Sequence, residues 1–212
     1  MNLTVEKLRL RLIMCLIITM TALPVSATTV MQMNFDDVVQ KAQLVFEGRV
    51  MSVESRQTGP RAIHTIITFQ ILDVVKGDYE QSTIELSYLG GKVGNREMWV
   101  AEMQMPAVGE NGIYFVGNPG ESMIHPLVGW SQGHYRIERN SSGVAGVTTA
   151  QGRAVTGIGA TSMQPMTVLP EGAAARGVQA QALRVPEAVM TPAAFKSRVR
   201  QIHQQQIEEP LP

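Results

Sequence analysis

The 212-residue chain balances 18 basic against 18 acidic residues and carries one cysteine, four histidines and two tryptophans. So even a charge balance gives no electrostatic footprint for a nucleic-acid partner or an anionic membrane surface. A single cysteine excludes any disulfide within the chain.

Lys7, Arg9 and Arg11 lead into an apolar run from Leu12 to Leu23, followed by Pro24 and the small-residue site Val25-Ser26-Ala27. This order predicts a secretory signal peptide over residues 1–27, cut between Ala27 and Thr28. The run is shorter than the roughly 18–20 residues of a membrane span, so no span is expected after signal removal. Cys15 follows Met14 rather than a small residue, which argues against lipidation, and it leaves with the leader. Three of the 18 basic residues and one of the 18 acidic ones leave too, so 15 face 17 and the net charge is −2. The expected location is the periplasm or the medium.

Phe35, Val38, Val39 and Ala42 recur at helical spacing, with Asn34 in the capping position and Asp36 and Asp37 in the first turn. A strand is expected from Gln43 to Ser55, with Gly48 marking a bulge or tight bend. The alternation from Ile63 to Gly77 changes face midway, which again calls for a bulge. Shorter strands are expected at Ser82–Leu89, Met98–Met103, Gly112–Val116, Met123–Leu127, Gly133–Glu138 and Val144–Thr149. Long bent strands followed by short ones predict an all-β-dominated fold, a small OB-like barrel over residues 28–149 with a short N-terminal helix. From 150 to 190 the composition turns to Ala, Gly, Gln and Pro and predicts a flexible linker. Residues 191–209 read as a C-terminal amphipathic helix, with Thr191 as cap and Phe195, Val199 and Ile202 along one stripe.

Gly129-Trp130-Ser131-Gln132-Gly133 fits the G-x-S-x-G pattern of a hydrolase nucleophile, in which the serine ends a strand and opens a helix. Here the residues after Gly133 alternate with period two, which is strand. The only acid and base in the required order after Ser131 are Glu138 and His203, and His203 sits far along the chain. A serine hydrolase using Ser131 is therefore the weakest reading, and the pattern is expected to be a glycine-bracketed turn.

No two of His64, His125, His134 and His203 share a close spacing, so no metal or cofactor is expected. His64 and His134 are expected to point outward from strands. Trp99 and Trp130 are candidates for a partner surface, as tryptophan is enriched at interfaces, with Trp130 alternatively capping an open barrel end. The thirteen methionines are scattered and read as core filling.

The order AQLVFEGRVMSVES, TIITFQILDVVKGD, STIELSYLGG and VGENGIYFVG resembles the barrel of tissue inhibitors of metalloproteinases and netrin-type modules. It is similar too to bacterial exported proteins with that barrel, which carry a glutamine-glycine step like Gln132-Gly133. The resemblance covers roughly Asn34 to Thr149 and implies an OB-like fold. It does not carry over zinc chelation, because those inhibitors use a cysteine at the mature N-terminus and this chain has Thr28-Thr29 there. The resulting expectation is a non-enzymatic exported module that binds an exported protein partner, a protease being one candidate, through Trp99, Trp130, His134, Phe195, Val199 and Ile202. An inhibitor of a co-exported metalloprotease is the alternative.

Overall fold

The computed structural model describes residues 30–101, 103–120, 123–159, 174–182 and 189–208. The predicted signal peptide and its cleavage site at Ala27 and Thr28 lie outside the described residues. The elements are α1 (Phe35–Lys41), β1 (Leu44–Gln57), β2 (Ile63–Lys76), β3 (Thr83–Leu89), β4 (Gly91–Val93), β5 (Arg96–Met98), β6 (Asn111–Val116), β7 (His134–Arg139), β8 (Ala145–Thr149), β9 (Ala154–Ile158), β10 (Val178–Gln181) and α2 (Pro192–Glu208). The all-β-dominated architecture with a short helix at one end and a longer one at the other is the one the sequence predicts.

Eight strands form one antiparallel sheet in the order β10-β9-β8-β7-β6-β1-β2-β3, and β4 and β5 form a separate hairpin. The two longest strands, β1 and β2, pair along their length with register shifts at Val45/Phe46, Glu47/Gly48 and Val50/Ser52. Glycine is sterically required at the second shift: a Cβ on Gly48 would lie 2.6 Å from the Phe46 ring and 2.9 Å from the Gln70 carbonyl. Such bulges bend a strand and increase its twist. The bend curls β6, β1, β2 and β3 around one core.

That curl is partly closed by an irregular segment. Leu89 N at the end of β3 donates to Ile124 O at 3.1 Å. Leu127 bridges Val116, Gly117 N donates to Pro126 O at 3.0 Å and Val128 N to Phe115 O at 2.9 Å, so the segment lies along β6. The ring β1-β2-β3-(124–128)-β6 is a small, partly open barrel holding Leu44, Phe46, Val50, Ile67, Phe69, Ile84, Leu86, Tyr88, Tyr114, Val116 and Leu127. Of the strand expected at Met123–Leu127, only the Leu127 bridge forms.

The other face of the sheet carries a second core. Val45, Ile113, Phe115, Tyr135, Val147 and Val155 lie beneath both helices, joined by Phe35, Val38 and Val39 of α1 and Phe195, Val199 and Ile202 of α2. Phe35 stands edge-on to Phe115, Tyr135 and Phe195 at centroid separations of 5.7, 5.9 and 5.7 Å, the arrangement aromatic rings prefer. The two cores share strands: on β6, Ile113 and Phe115 face the helices while Tyr114 and Val116 face the barrel interior.

Two expectations are corrected here. The segment read as a flexible linker from 150 to 190 contains β9 and β10, which extend the sheet, and it buries Ala154 and Val155 of β9 and Ala175 ahead of β10. Small side chains suffice there, because the helices and Met190 lie close enough to fill the space over them; residues 160–173 and 183–188 fall outside the described residues. The C-terminal helix docks on its own sheet, with Phe195, Val199 and Ile202 fully buried. Lys196 reinforces the docking, its ammonium pairing Glu47 on β1 and Asp73 on β2, with Arg200 on Asp73 at 2.9 Å.

The glycine-bracketed pentapeptide has a definite job. With Leu127 opposite Val116, an unbroken ladder would set Gly129 opposite Tyr114, yet His134 stands there. Gly129 to Gly133 are therefore looped out of the strand, four of them as a 3-10 turn. Before the loop the chain belongs to the barrel; after it, β7 starts the sheet beneath the helices. Gly129 takes a left-handed backbone (φ 61°), and a Cβ on Gly133 would lie 2.5 Å from Val128 O. Gln132, wholly buried, accepts from Met33 N at 2.7 Å and donates to Met31 O at 3.0 Å, tying the N-terminal segment to the corner.

Candidate binding surface

The β4–β5 hairpin turns through Gly94-Asn95, with Gly94 at φ 57°, the left-handed backbone a two-residue hairpin turn needs. It lies on the barrel's open end through close backbone approach: a side chain on Gly91 would collide with Ser55 and Thr65. The hydroxyls of Ser55 and Thr65 are 2.9 Å apart, Thr65 Oγ1 donates to Gly90 O at 2.7 Å, and Lys92 N donates to Ser55 Oγ at 3.3 Å. These bonds fix the hairpin over the sheet.

Trp99 directly follows the hairpin. The strand expected at Met98–Met103 stops at Met98, and Trp99 stands 83% exposed. Beside it runs a groove of about 330 Å³ lined by Val53, Met98, Trp99, Val100, Met103 and Met105, with Ser55 and Thr65 at its floor. Met103 and Met105 also pack against the barrel core, so the groove is the uncovered end of that core. Burying so large an exposed ring on a partner would be strongly favourable. Lys92 and Glu97 put one charge of each sign on the rim.

A second cluster lies inside the barrel. Glu110, at the entry to β6, has a carboxylate that accepts from Tyr114 OH at 3.0 Å and lies 2.7 Å from His134 Nε2. Arg136 Nε is 3.5 Å from its other oxygen, near enough for ion pairing though not aligned as a hydrogen bond. Burial pushes the Glu110 pKa up, but the bonds from His134 and Tyr114 outweigh it and hold the carboxyl below its usual value. The Tyr114 ring stacks on His134 at 5.3 Å. His125 stacks on Trp130 at 5.3 Å and meets the edge of Tyr88 at 5.1 Å; burial, with His134 nearby, drives its pKa down to about 3. Among the described residues, Tyr88 OH and His134 Nδ1 have no hydrogen-bond partner.

The sequence-predicted site residues thus fall into separate places. Trp99 is exposed and beside a groove. Trp130, at φ 60°, is half-buried, with its ring stacked on His125. His134 is buried rather than outward, because β7 begins between the two cores and has no solvent face there. Phe195, Val199 and Ile202 lie in the helix-covered core and offer nothing to a partner. Ser131 sits in the turn that opens strand β7, and among the described residues no hydrogen bond joins its hydroxyl to a histidine or carboxylate. The methionines at 98, 103 and 105, read as scattered filling, converge with Trp99. The two-residue step from Met103 to Met105, close to a tryptophan, was the available signal.

Among the described residues no three His, Cys, Asp or Glu side chains gather closely enough to hold a metal ion. No described helix is long and apolar enough to cross a membrane. In comparison with protein-family models, curated proteins and solved structures, the chain matches none.

Proposed function

We propose that the chain is an exported, non-enzymatic binding module whose principal contact is Trp99 and the methionine-lined groove beside it. The observation that carries this reading is Trp99, 83% exposed at the uncovered end of the barrel core and the most exposed large hydrophobic side chain among the described residues. Methionine is suited to such a surface, since its flexible thioether adapts to the shape it meets. The fitting occupant is an exported protein that offers an apolar side chain to the groove between the two rim charges. The leader-like N-terminus supports export, and the resemblance to the metalloproteinase-inhibitor barrel supports contact through loops at a barrel end.

The test is affinity capture from the exported fraction with the wild type and Trp99→Ala, both checked for folding by circular dichroism. A partner recovered by the wild type should be weakened about 30-fold or more, the usual loss at a tryptophan hot spot. Equal recovery by both forms sinks the reading. Adding the wild type to the proteases of the same fraction distinguishes a plain binder from an inhibitor.

A further inference from the structure

We infer that the free edge of β3 is a strand-addition site for an extended segment of a partner protein, one that places a basic side chain opposite Glu85. This rests on the reading of the chain as a binding module but uses a surface other than the Trp99 groove.

The backbone directions follow from three bonds. β3 pairs with β2 in continuous register from His64 opposite Leu89 to Gln70 opposite Thr83. Ser82 O accepts from Ile71 N at 2.8 Å and Gly90 N donates to Ile63 O at 2.7 Å, so even-numbered residues turn their backbone groups to β2. Leu89 N donates the other way, to Ile124 O. Backbone groups alternate sides along an antiparallel strand, so the N–H and C=O of Thr83, Glu85 and Ser87 point out of the sheet. Among the described residues no backbone bond reaches them, and the one side-chain bond is from Tyr79 OH to Thr83 O at 3.1 Å, which leaves both groups of Glu85 and Ser87 open. A groove of about 300 Å³ runs alongside, with Glu85, Leu86 and Ser87 on one bank and Asn118, Gly120 and Pro126 on the other. Among its described residues, the segment that closes the barrel bonds only to the Leu89 end of the edge.

Proteins usually blunt a free edge by shortening it, bulging it, or adding proline or lysine. The opposite edge, β10, is four residues long, has a register shift at Gln179/Ala180 and takes the Arg153 guanidinium on Ala180 O at 2.8 Å. β3 is seven residues long with no proline, lysine or register shift. A second copy is the poorer occupant. Using all three rungs in a twofold antiparallel pair centres the pairing on Glu85 and sets it opposite itself, and like charges in that position are destabilising. The same carboxylate favours Lys or Arg across the new ladder.

Two heptapeptides blocked at both ends, Thr-Val-Thr-Lys-Thr-Val-Thr and its central-Glu counterpart, are titrated into the full isotope-labelled chain. Amide shifts and hydrogen-exchange protection should appear at Thr83, Glu85 and Ser87, and the Lys peptide should bind about threefold or more tightly than the Glu peptide. Glu85→Pro removes an outward N–H that the β2 ladder does not use, so the variant should stay folded and lose binding. Glu85→Lys should reverse the peptide preference. Unchanged protection at these amides, equal binding by Glu85→Pro, or a concentration-dependent dimer abolished by Glu85→Pro would each overturn the inference. Trp99→Ala should bind the peptides normally, so failure at the groove and failure at this edge are read separately.

Discussion

The two cores on either face of the sheet are built from the same strands by different means. Beneath the helices, Phe35, Phe115, Tyr135 and Phe195 pack as one cluster, edge to face except for the tilted pair Tyr135–Phe195, with no acid or histidine among them. Inside the barrel, apolar packing gives way to Glu110, His134, His125 and three tyrosine or tryptophan rings, and Thr65, the partner of Tyr88 across the β2–β3 ladder, lies in the groove beside Trp99. One face is closed and apolar; the other is polar within and uncovered at its rim. The difference teaches that stability and exposure are divided between faces, so each can be perturbed separately.

The sharpest way to break the closed face is Phe195→Ala. The ring is fully buried among three others, and its loss should cost about 3–5 kcal/mol in urea unfolding, with amides of β7 and β8 losing protection first. A loss under about 1 kcal/mol would mean that the helix is not part of the folded unit.

Acid should act on the barrel face. His125 has a folded pKa near 3 against an ordinary 6.5, so between those values the unfolded chain binds the extra proton and stability falls as pH drops below 6.5. Glu110, held below its ordinary value, adds a loss in the same direction once pH falls through its folded pKa. Asp73 beside α2 is also lowered, by its bonds to Lys196 and Arg200 against the opposing effect of burial, but it is about a third exposed and more strongly screened. The total is on the order of a few kcal/mol. Unfolding curves from pH 7 to 4 should show the His125 part, with the carboxylates adding to it only at lower pH, and His125→Gln should flatten the slope below 6.5. A variant with the wild-type slope would contradict the assignment.

The smallest expected effect sharpens the comparison at the helix. Lys196→Ala removes the cation between Glu47 and Asp73 and should cost about 1 kcal/mol, reduced by added salt, with the aromatic packing unchanged. Chemical denaturation at low and high ionic strength measures it.

Alternation and helical spacing were enough to locate α1, β1 to β3, β6 to β8 and α2, because each has one face of large apolar residues. β9 and β10 escaped because alanine and glycine carry no periodic signal; helices overhead, supplied by distant parts of the chain, make those small side chains core. The destination of the Phe195–Val199–Ile202 stripe was illegible for a related reason: an amphipathic stripe states that something covers it and does not state what. His134 was misread because alternation assumes a wet face, and β7 begins where neither face is wet. Trp99 was legible as a candidate, while its methionine neighbours were separated by the turn that brings them together.

The corner at Gly129–Gly133 also has a temporal consequence. Gln132 holds Met33 across a separation of 99 residues, and Phe35 N hangs on Arg176 O. The beginning of the described chain therefore has no permanent neighbour until most of the polypeptide has been synthesised, and its fastening belongs to the end of assembly rather than the start.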